Sequence, residues 1–329
     1  MNFYLSSFLP RVNFGRRLEP LGNNVLHGAG QDPGIGSHYD PSPFHAYWEA
    51  VSSSHKPAVY MSYVPLKADM PTYFDGLRRA LSAYDPYSVV PQIGLYMNGG
   101  GLDEMEYGVY DHEVAEGRLD TEIETFCLEL KRFQRPVYLR IGFEFNGPWN
   151  GYSMETFKSA WIRIVTALRS HKLENVATVW CYCPLPSVRE DPNGNRIDRD
   201  YLGYYPGDEW VDWWSIDLFS PDMFTLDNTR WFMRDAEQHR FPVMIGESTP
   251  RGISVQMGDK AWNQWYAQFF DFIRTQPCIK AFCYINWNWD SYPEFNGWGD
   301  ARIQVEPTIL ERYSRELAHL MYLHAGKCR

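Results

Sequence analysis

Two glutamates stand at the ends of apolar segments, where their carboxyl groups could act on one bound molecule. Glu144 lies in RIGFEFNGPW and Glu247 lies in MIGESTPRG. Two facing carboxyl groups suit hydrolysis of a glycosidic bond, because one can protonate the leaving oxygen while the other, ionised, attacks or stabilises the sugar carbon. Either glutamate alone would be interpreted as a capping or ion-paired residue. It is therefore the two glutamates together that indicate a catalytic site.

The elements that must position this pair are short apolar segments rich in β-branched and aromatic residues, each followed by a helix-like stretch. Eight such strands are predicted: 24–29, 57–64, 88–97, 136–145, 176–184, 213–219, 242–248 and 279–287. Amphipathic helices are predicted at 42–54, 70–83, 118–134, 153–171, 227–239, 259–275 and 306–323, with a loop at 185–203 and a short helix near 208–212. This alternation predicts a (β/α)₈ barrel, an α/β fold, forming a single catalytic domain over 1–329.

In a barrel, the two glutamates would lie at the mouth formed by the carboxyl ends of the strands. They end the fourth and seventh strands, which face each other across the mouth, and catalytic groups of such barrels lie at the carboxyl ends of strands. Side-chain alternation predicts that Glu144 shares a strand face with Arg140, and that Glu247 shares one with Ile245. Because Arg140 lies deeper in its strand, we expect it to be a buried hydrogen-bonding centre rather than a substrate ligand.

Aromatic side chains are unusually abundant, with 13 Trp and 22 Tyr in 329 residues. Rings cover the apolar faces of sugars well. Four tryptophans follow strands four and eight and are expected to line a groove: Trp149, Trp287, Trp289 and Trp298. Trp287 is the main candidate for the floor of the reactive subsite, with Tyr96 and Asn146 as secondary candidates. Five others lie on helical stripes and are expected in the core: Trp48, Trp161, Trp231, Trp262 and Trp265.

Composition excludes several classes of partner. Lys and Arg number 31 against 41 Asp and Glu, and the net charge of −10 disfavours nucleic acid. No apolar segment approaches the ~20 residues of a membrane span. The first residues lack a basic region before an apolar core, so they do not resemble a signal peptide. The compartment stays open between cytoplasmic and secreted with a signal removed earlier. We expect a monomer whose partner is a carbohydrate.

Alternative barrel and sheet enzymes are poorly supported. The segment HGAGQDPGIG after the first strand has no clean GxGxxG, which disfavours a dinucleotide site. A metal-dependent hydrolase would need several His at strand ends, but only His27 is present. An enolase-like enzyme would need three carboxylates that bind Mg²⁺ and a strand-borne Lys or His base, and no strand end carries Lys. The six cysteines form no CxxC and are expected to be buried thiols. No metal and no cofactor are predicted. A carbohydrate-binding barrel without turnover remains the non-enzymatic alternative.

Four segments together resemble glycoside hydrolase family 26 and its wider barrel clan. They are YLRIGFEFNGPWNGY (138–152), YYPGDEWVDWWSIDLF (204–219), PVMIGES (242–248) and the Trp-rich end of strand eight. The resemblance implies a retaining, double-displacement β-glycosidase in which Glu144 is the general acid/base and Glu247 the nucleophile. The carboxyl groups of a retaining enzyme are expected about 5–5.5 Å apart.

Two positions depart from the family pattern near the reactive sugar. The family usually has His directly before the acid/base residue, where it touches the sugar near its 2-hydroxyl, and this chain has Phe143. Family members also tend to have Tyr after strand six, where this chain has Phe219. Both changes remove hydrogen-bonding groups. The resemblance implies β-1,4-mannan as the first candidate substrate, with β-1,3/1,4-glucan and xylan as alternatives; endo or exo action stays open.

Overall fold

A closed parallel barrel forms the centre of the molecule. The computed structural model describes residues 10–30, 42–99, 108–186 and 199–326. Its strands are β1 (Val25–Gly30), β2 (Val59–Pro65), β3 (Val90–Tyr96), β4 (Val137–Ile141), β5 (Val176–Tyr182), β6 (Trp213–Leu218), β7 (Val243–Ser248) and β8 (Ile279–Ile285). Neighbours in sequence pair in parallel, and β1 pairs with both β2 and β8, which closes the sheet. The predicted (β/α)₈ barrel is confirmed.

Helices follow the strands and cover the outside of the barrel. They are α1 (Ser42–Ala50), α2 (Met70–Ser82), α3 (Asp111–Ala115), α4 (Asp120–Phe133), α5 (Met154–Ser170), α6 (Asp227–Gln238), α7 (Asp259–Ala261), α8 (Ala267–Thr275) and α9 (Pro307–Leu317). Between β5 and β6 the described residues form two short 3₁₀ turns, Asp200–Tyr204 and Asp208–Trp210. The second turn corresponds to the short helix predicted near 208–212, whereas most of the loop predicted over 185–203 lies outside the described residues.

Three predicted helices differ from the structure in extent. The helix predicted over 306–323 ends at Leu317, and Tyr322–Leu323 forms a ninth strand, β9, that pairs in parallel with the start of β1. The helix predicted over 259–275 contains a π-helical turn, Trp262–Tyr266, between α7 and α8. Within the stretch 118–134 the helix begins at Asp120, and a separate short helix, α3, precedes it.

Aromatic side chains fill the layer between strands and helices. Trp161 on α5 and Trp265 in the π-helical turn are fully buried, as are Trp213 and Trp214 on β6. The strands β1 and β4 to β8 are buried along their whole length, as expected for a parallel sheet covered by helices. The described cysteines are buried and unbridged, as predicted; Cys328 lies outside the described residues. Within those residues, no helix combines the length and apolarity needed to cross a membrane.

Candidate active site

A turn, not a strand, sets the direction of Glu144. β4 ends at Ile141, and Gly142 and Glu144 both adopt left-handed backbone conformations, with φ of 52° and 49°. A non-glycine residue in this region needs support from its surroundings. The Asn150 side chain gives it, since its Nδ2 donates to the backbone carbonyl oxygens of Phe143 at 2.9 Å and Glu144 at 3.0 Å. The strand predicted over 136–145 therefore ends at Ile141, and the turn, not strand alternation, sets the direction of Glu144.

A β-bulge sets the direction of Glu247. The pairing of β6 with β7 changes register between Ile216 and Leu218. Asp217 therefore lies opposite two residues, Gly246 and Glu247. Asp217 Oδ1 accepts a hydrogen bond of 2.8 Å from the backbone N–H of Glu247. A bulge of this kind redirects a side chain that strict alternation would place elsewhere. The prediction that simple alternation along β7 places Glu247 on the same face as Ile245 is therefore wrong.

Gly246 makes room for the groups that hold Glu247. A Cβ atom at this position would lie 2.6 Å from Ser215 Oγ, 2.8 Å from Asp217 Oδ1 and 2.9 Å from Arg140 Nε. These separations are shorter than real Cβ contacts, so glycine lets three polar side chains approach the β7 backbone closely.

Arg140 is the buried centre of the site, as predicted. Its Nη1 donates to Glu247 Oε1 at 2.8 Å, and its Nη2 forms an ion pair with Asp217. Nη2 also donates to Cys181 Sγ at 2.9 Å. Arg140 and Asp217 are fully buried, and one guanidinium faces two carboxyl groups. Arg140 therefore both orients Glu247 and offsets the charge of Glu247 when that carboxyl is ionised.

Glu144 lies in a different electrostatic environment. Only 8% of it is exposed, and its Oε1 is buried without a hydrogen-bond partner among the described residues. Its Oε2 accepts a hydrogen bond of 2.7 Å from Trp149 Nε1. Burial first, and then the negative charge of Glu247, raise the pKa of Glu144 from 4.5 to about 7; Arg140 and Trp149 oppose this rise. Glu144 can therefore hold a proton in neutral solution and act as an acid.

Rings form one wall beside Glu144. The Phe143 ring centroid lies 5.2 Å from that of Tyr63 on β2 and 6.2 Å from that of Tyr96 on β3. The Arg140 guanidinium carbon lies 5.0 Å from the same Phe143 centroid. Phe143 thus brings a ring without a hydrogen-bonding group to the place directly before Glu144. The Tyr96 ring, a predicted substrate contact, thus packs on Phe143, which precedes Glu144 and is itself a candidate substrate contact.

The predicted groove tryptophans differ in exposure. Trp149 is 47% exposed while its N–H donates to Glu144, so one ring extends from the surface to Glu144. Trp287 and Trp289 are buried beyond β8, with ring centroids 5.0 Å apart. Trp289 Nε1 donates to Thr249 Oγ1 at 2.9 Å, which ties the segment after β8 to that after β7. Trp287 stacks on Tyr292 at 4.8 Å, and its buried Nε1 has no hydrogen-bond partner in the part of the chain described.

Asn146 connects two loops. Its Nδ2 donates to the backbone oxygen of Cys183 at 2.7 Å, and its Oδ1 accepts from the backbone N–H of Cys183 at 3.0 Å. The amide therefore fastens the turn that carries Glu144 to the end of β5. Its predicted contact with substrate remains a prediction. Phe219, after β6, packs against Trp298 with centroids 5.9 Å apart.

The sequence interpretation missed three residues of the site. Asp217 and Tyr63 end predicted strands, so their positions were a signal, but neither was assigned a role. Asn150 is a polar residue in a loop, and nothing in the sequence marked it as the support of the Glu144 backbone. In residues 10–30, 42–99, 108–186 and 199–326, no three His, Cys, Asp or Glu side chains are placed to hold a metal ion.

Comparisons with known proteins locate this site within a family. The family model for glycosyl hydrolase family 26 matches residues 84–275, which include both glutamates. A β-1,3-xylanase of Vibrio sp. is 30% identical over 255 residues, covering 69% of this chain and 51% of the relative. A β-1,3-xylanase of Alcaligenes sp. is 28% identical over 267 residues, covering 72% and 54%. The chain thus spans about half the length of these curated relatives.

A solved structure shares the architecture at low sequence identity. A double mutant of the endo-β-1,4-mannanase of Cellulomonas fimi superposes with a TM-score of 0.64 at 14% identity, covering 92% of this chain and 72% of that one. At that identity the likeness establishes the barrel fold alone. The family model, by contrast, covers more than half of the sequence and spans β3 to α8. The chain therefore belongs to glycosyl hydrolase family 26.

Proposed function

We propose that this chain hydrolyses a β-linked polysaccharide with retention of anomeric configuration, with Glu144 as the acid/base and Glu247 as the nucleophile. The observation that carries the proposal is the contrast between the two carboxyl groups. Glu247 accepts a hydrogen bond from Arg140, whereas Glu144 is buried with a pKa raised to about 7. Two carboxyl groups whose environments differ in this way are suited to opposite roles.

In the first step, protonated Glu144 gives its proton to the glycosidic oxygen while the Glu247 carboxylate attacks the anomeric carbon. The carbon–oxygen bond to the leaving sugar breaks, and a covalent glycosyl ester of Glu247 forms. Arg140 holds the attacking carboxylate through Oε1, which leaves Oε2 for the reaction. In the second step, ionised Glu144 takes a proton from water, the water oxygen bonds to the anomeric carbon, and Glu247 is released as a carboxylate.

We propose β-1,3-xylan as the preferred substrate, in place of the β-1,4-mannan first considered from the sequence. Two curated relatives that cover more than two thirds of this chain are β-1,3-xylanases. Phe143 also supports this choice, because its surroundings are the rings of Tyr63 and Tyr96 and the face of Arg140. A sugar that depends on a polar contact at this position, near its 2-hydroxyl, loses that contact here.

Release of reducing ends tests substrate and activity together. We expect wild type to cleave β-1,3-xylan faster than β-1,4-xylan, β-1,4-mannan or β-1,3/1,4-glucan, and NMR to show that the first product keeps the β-configuration. Glu144→Gln and Glu247→Gln should each lower kcat on polysaccharide by roughly 10²–10⁴-fold. A 2,4-dinitrophenyl glycoside needs no proton to leave. On it, Glu144→Gln should form the glycosyl-enzyme at a near wild-type rate, while Glu247→Gln should not form it.

Several outcomes would contradict the proposal. Inversion of configuration would exclude the covalent step, and full turnover by Glu247→Gln would exclude that residue as nucleophile. Faster cleavage of β-1,4-mannan than of β-1,3-xylan would overturn the substrate assignment while leaving the mechanism in place. Tight binding of the same glycans by wild type without any cleavage would identify the chain as a carbohydrate-binding barrel instead.

A further inference from the structure

Tyr63, at the barrel mouth on β2, carries a buried hydroxyl group that the fold does not use. This hydroxyl has no hydrogen-bond partner within the described part of the chain. The ring is held tightly, since a Cβ atom at Gly94 would lie 2.6 Å from Tyr63 Cδ1, and Phe143 packs edge-on at 5.2 Å. A buried polar group without a partner costs stability. Folding stability alone therefore does not explain why this hydroxyl is held in place.

Glu247 is the group beside this hydroxyl. Tyr63 packs on the Phe143 ring, the Arg140 guanidinium lies over the same ring, and Arg140 donates to Glu247, so Tyr63 and the Glu247 carboxylate lie in the same part of the barrel mouth. Burial first, and then the charge of Glu247, raise the pKa of Tyr63, while the hydroxyl completes no hydrogen bond within the described residues. Glu247 is surrounded by Arg140 from β4, Asp217 from β6, Glu144 from the turn after β4, and Cys283 from β8. Arg140 occupies Oε1. Tyr63 is the neutral donor available on the β2 side.

We propose that the Tyr63 hydroxyl donates a hydrogen bond to the Glu247 carboxylate as that carboxylate departs from the sugar, so that Tyr63 is a positioning residue for the second half of the reaction. This inference rests on the proposed function and adds a residue to it. Phe219 has no donor and packs on Trp298, so the segment after β6 offers Glu247 no side-chain donor at that position.

The chemical need arises during hydrolysis of the glycosyl ester. Water attacks the anomeric carbon and gives a proton to Glu144. The bond between that carbon and the Glu247 oxygen breaks, and its electron pair stays on Glu247. Negative charge therefore develops on a carboxylate that is almost fully buried. A donor already fixed beside it stabilises the charge without reorganisation. In the first half of the reaction the same hydrogen bond weakens as the charge disappears, so its effect there is smaller.

Turnover of a trapped intermediate tests this role. Wild type, Tyr63→Phe and Tyr60→Phe are labelled with a 2,4-dinitrophenyl 2-deoxy-2-fluoro-β-xyloside or xylobioside, and loss of the label from Glu247 is followed by intact mass. Tyr60 is a matched control, because it lies on β2, is buried, has an unpartnered hydroxyl and packs outward on Phe44 at 4.7 Å. We expect Tyr63→Phe to lose the label roughly 10- to 100-fold more slowly. Tyr60→Phe should match wild type within about twofold.

The outcomes separate the two proposals. Slower release in Tyr63→Phe with an unchanged thermal midpoint supports the role, because removing an unpartnered hydroxyl does not weaken packing. Release at the wild-type rate overturns it while leaving the assignment of Glu247 intact. An equal slowing of labelling and release also overturns it, since that pattern indicates a general disturbance of the site. A wild-type chain that is neither labelled nor active overturns both proposals.

Discussion

The two glutamates have the same side chain and different environments. Glu247 faces Arg140, a permanent cation, whereas Glu144 meets a desolvated pocket and the charge of Glu247. If both were ionised, Glu144, Glu247 and Asp217 would place three negative charges around one guanidinium. Burial and the charge of Glu247 raise the pKa of Glu144 to about 7, which suits an acid at neutral pH.

Trp149 should control the pH range of activity. Its N–H stabilises ionised Glu144 through a 2.7 Å hydrogen bond. Trp149→Phe removes that bond, so the pKa of Glu144 should rise further, and the basic limb of the kcat/KM profile should move up from near pH 7 by about one unit. Trp149→His, which keeps a ring N–H, should move it less. A basic limb that stays in place or moves down in Trp149→Phe would contradict the role of Glu144 as acid.

Among the secondary-structure elements, two local irregularities at the strand ends set the directions of the two glutamates. The turn after β4 holds Glu144 in a left-handed conformation, and the bulge in β7 turns Glu247 toward Arg140. Side-chain hydrogen bonds from other elements stabilise both: Asn150 holds the first and Asp217 the second. Regular strands thus bring the glutamates to the mouth, and irregular backbone directs them.

Asn150→Asp should damage the Glu144 turn while keeping its size. The variant retains the oxygen that accepts from Asn98 Nδ2 at 2.9 Å but loses the donor to the carbonyls of Phe143 and Glu144. We expect unfolding free energy to fall by about 1–3 kcal/mol and kcat/KM by roughly tenfold or more. Urea unfolding and polysaccharide kinetics measure the two effects.

Asn175→Asp provides the comparison at the opposite end of the barrel. Asn175 Nδ2 also donates to a backbone oxygen, that of Arg135, directly before β5. This variant should lose a similar amount of stability with kcat/KM close to wild type. If both variants lowered kcat/KM equally, the effect of Asn150 would be one of general stability and not of the Glu144 turn.

For the molecule as a whole, the buried charged groups at the barrel mouth cost stability. The barrel buries Arg140, Asp217 and both glutamates in its interior. Burial of ionised groups is unfavourable even when they are paired. The closed sheet and its aromatic outer layer must offset this cost in unfolding free energy. The buried charges that lower stability therefore lie at the functional end of the barrel.

Glu144→Gln should therefore be more stable than wild type in alkaline solution. The folded pKa of Glu144 is raised to about 7 from 4.5, so the stability linked to its protonated form is present below pH 4.5 and lost as pH rises through 7. Between pH 5 and 8.5, wild type should lose roughly 2–3 kcal/mol more unfolding free energy than Glu144→Gln. Urea unfolding across this range measures the difference.

An exposed glutamate supplies the control for that measurement. Glu311 on α9 is paired with Arg315 but is 71% exposed in its side chain. Glu311→Gln should show the same pH dependence as wild type within experimental error, because surface ion pairs contribute little. Parallel curves for wild type and Glu144→Gln would show that the folded protein does not raise the pKa of Glu144.

The barrel and the place of the two glutamates at its strand ends could be predicted from the sequence, because both depend on local patterns. Strand and helix periodicity is written in consecutive residues, and a carboxyl group directly after an apolar segment marks the carboxyl end of a strand. The exception is β9, where two residues at the end of a predicted helix pair with β1 instead. That pairing depends on a strand almost 300 positions away.

The directions and hydrogen-bond partners of these residues could not be predicted from the sequence. The sequence predicted alternation for Glu144 and Glu247, whereas a turn supported by Asn150 and a bulge opposite Asp217 set their directions. Asn146 was expected at the substrate, and its amide bonds to the Cys183 backbone. In each case the deciding hydrogen bond crosses between loops or strands, so its geometry exists only after the barrel has closed. The pKa of Glu144 has the same origin, since burial and facing charges are properties of the folded chain.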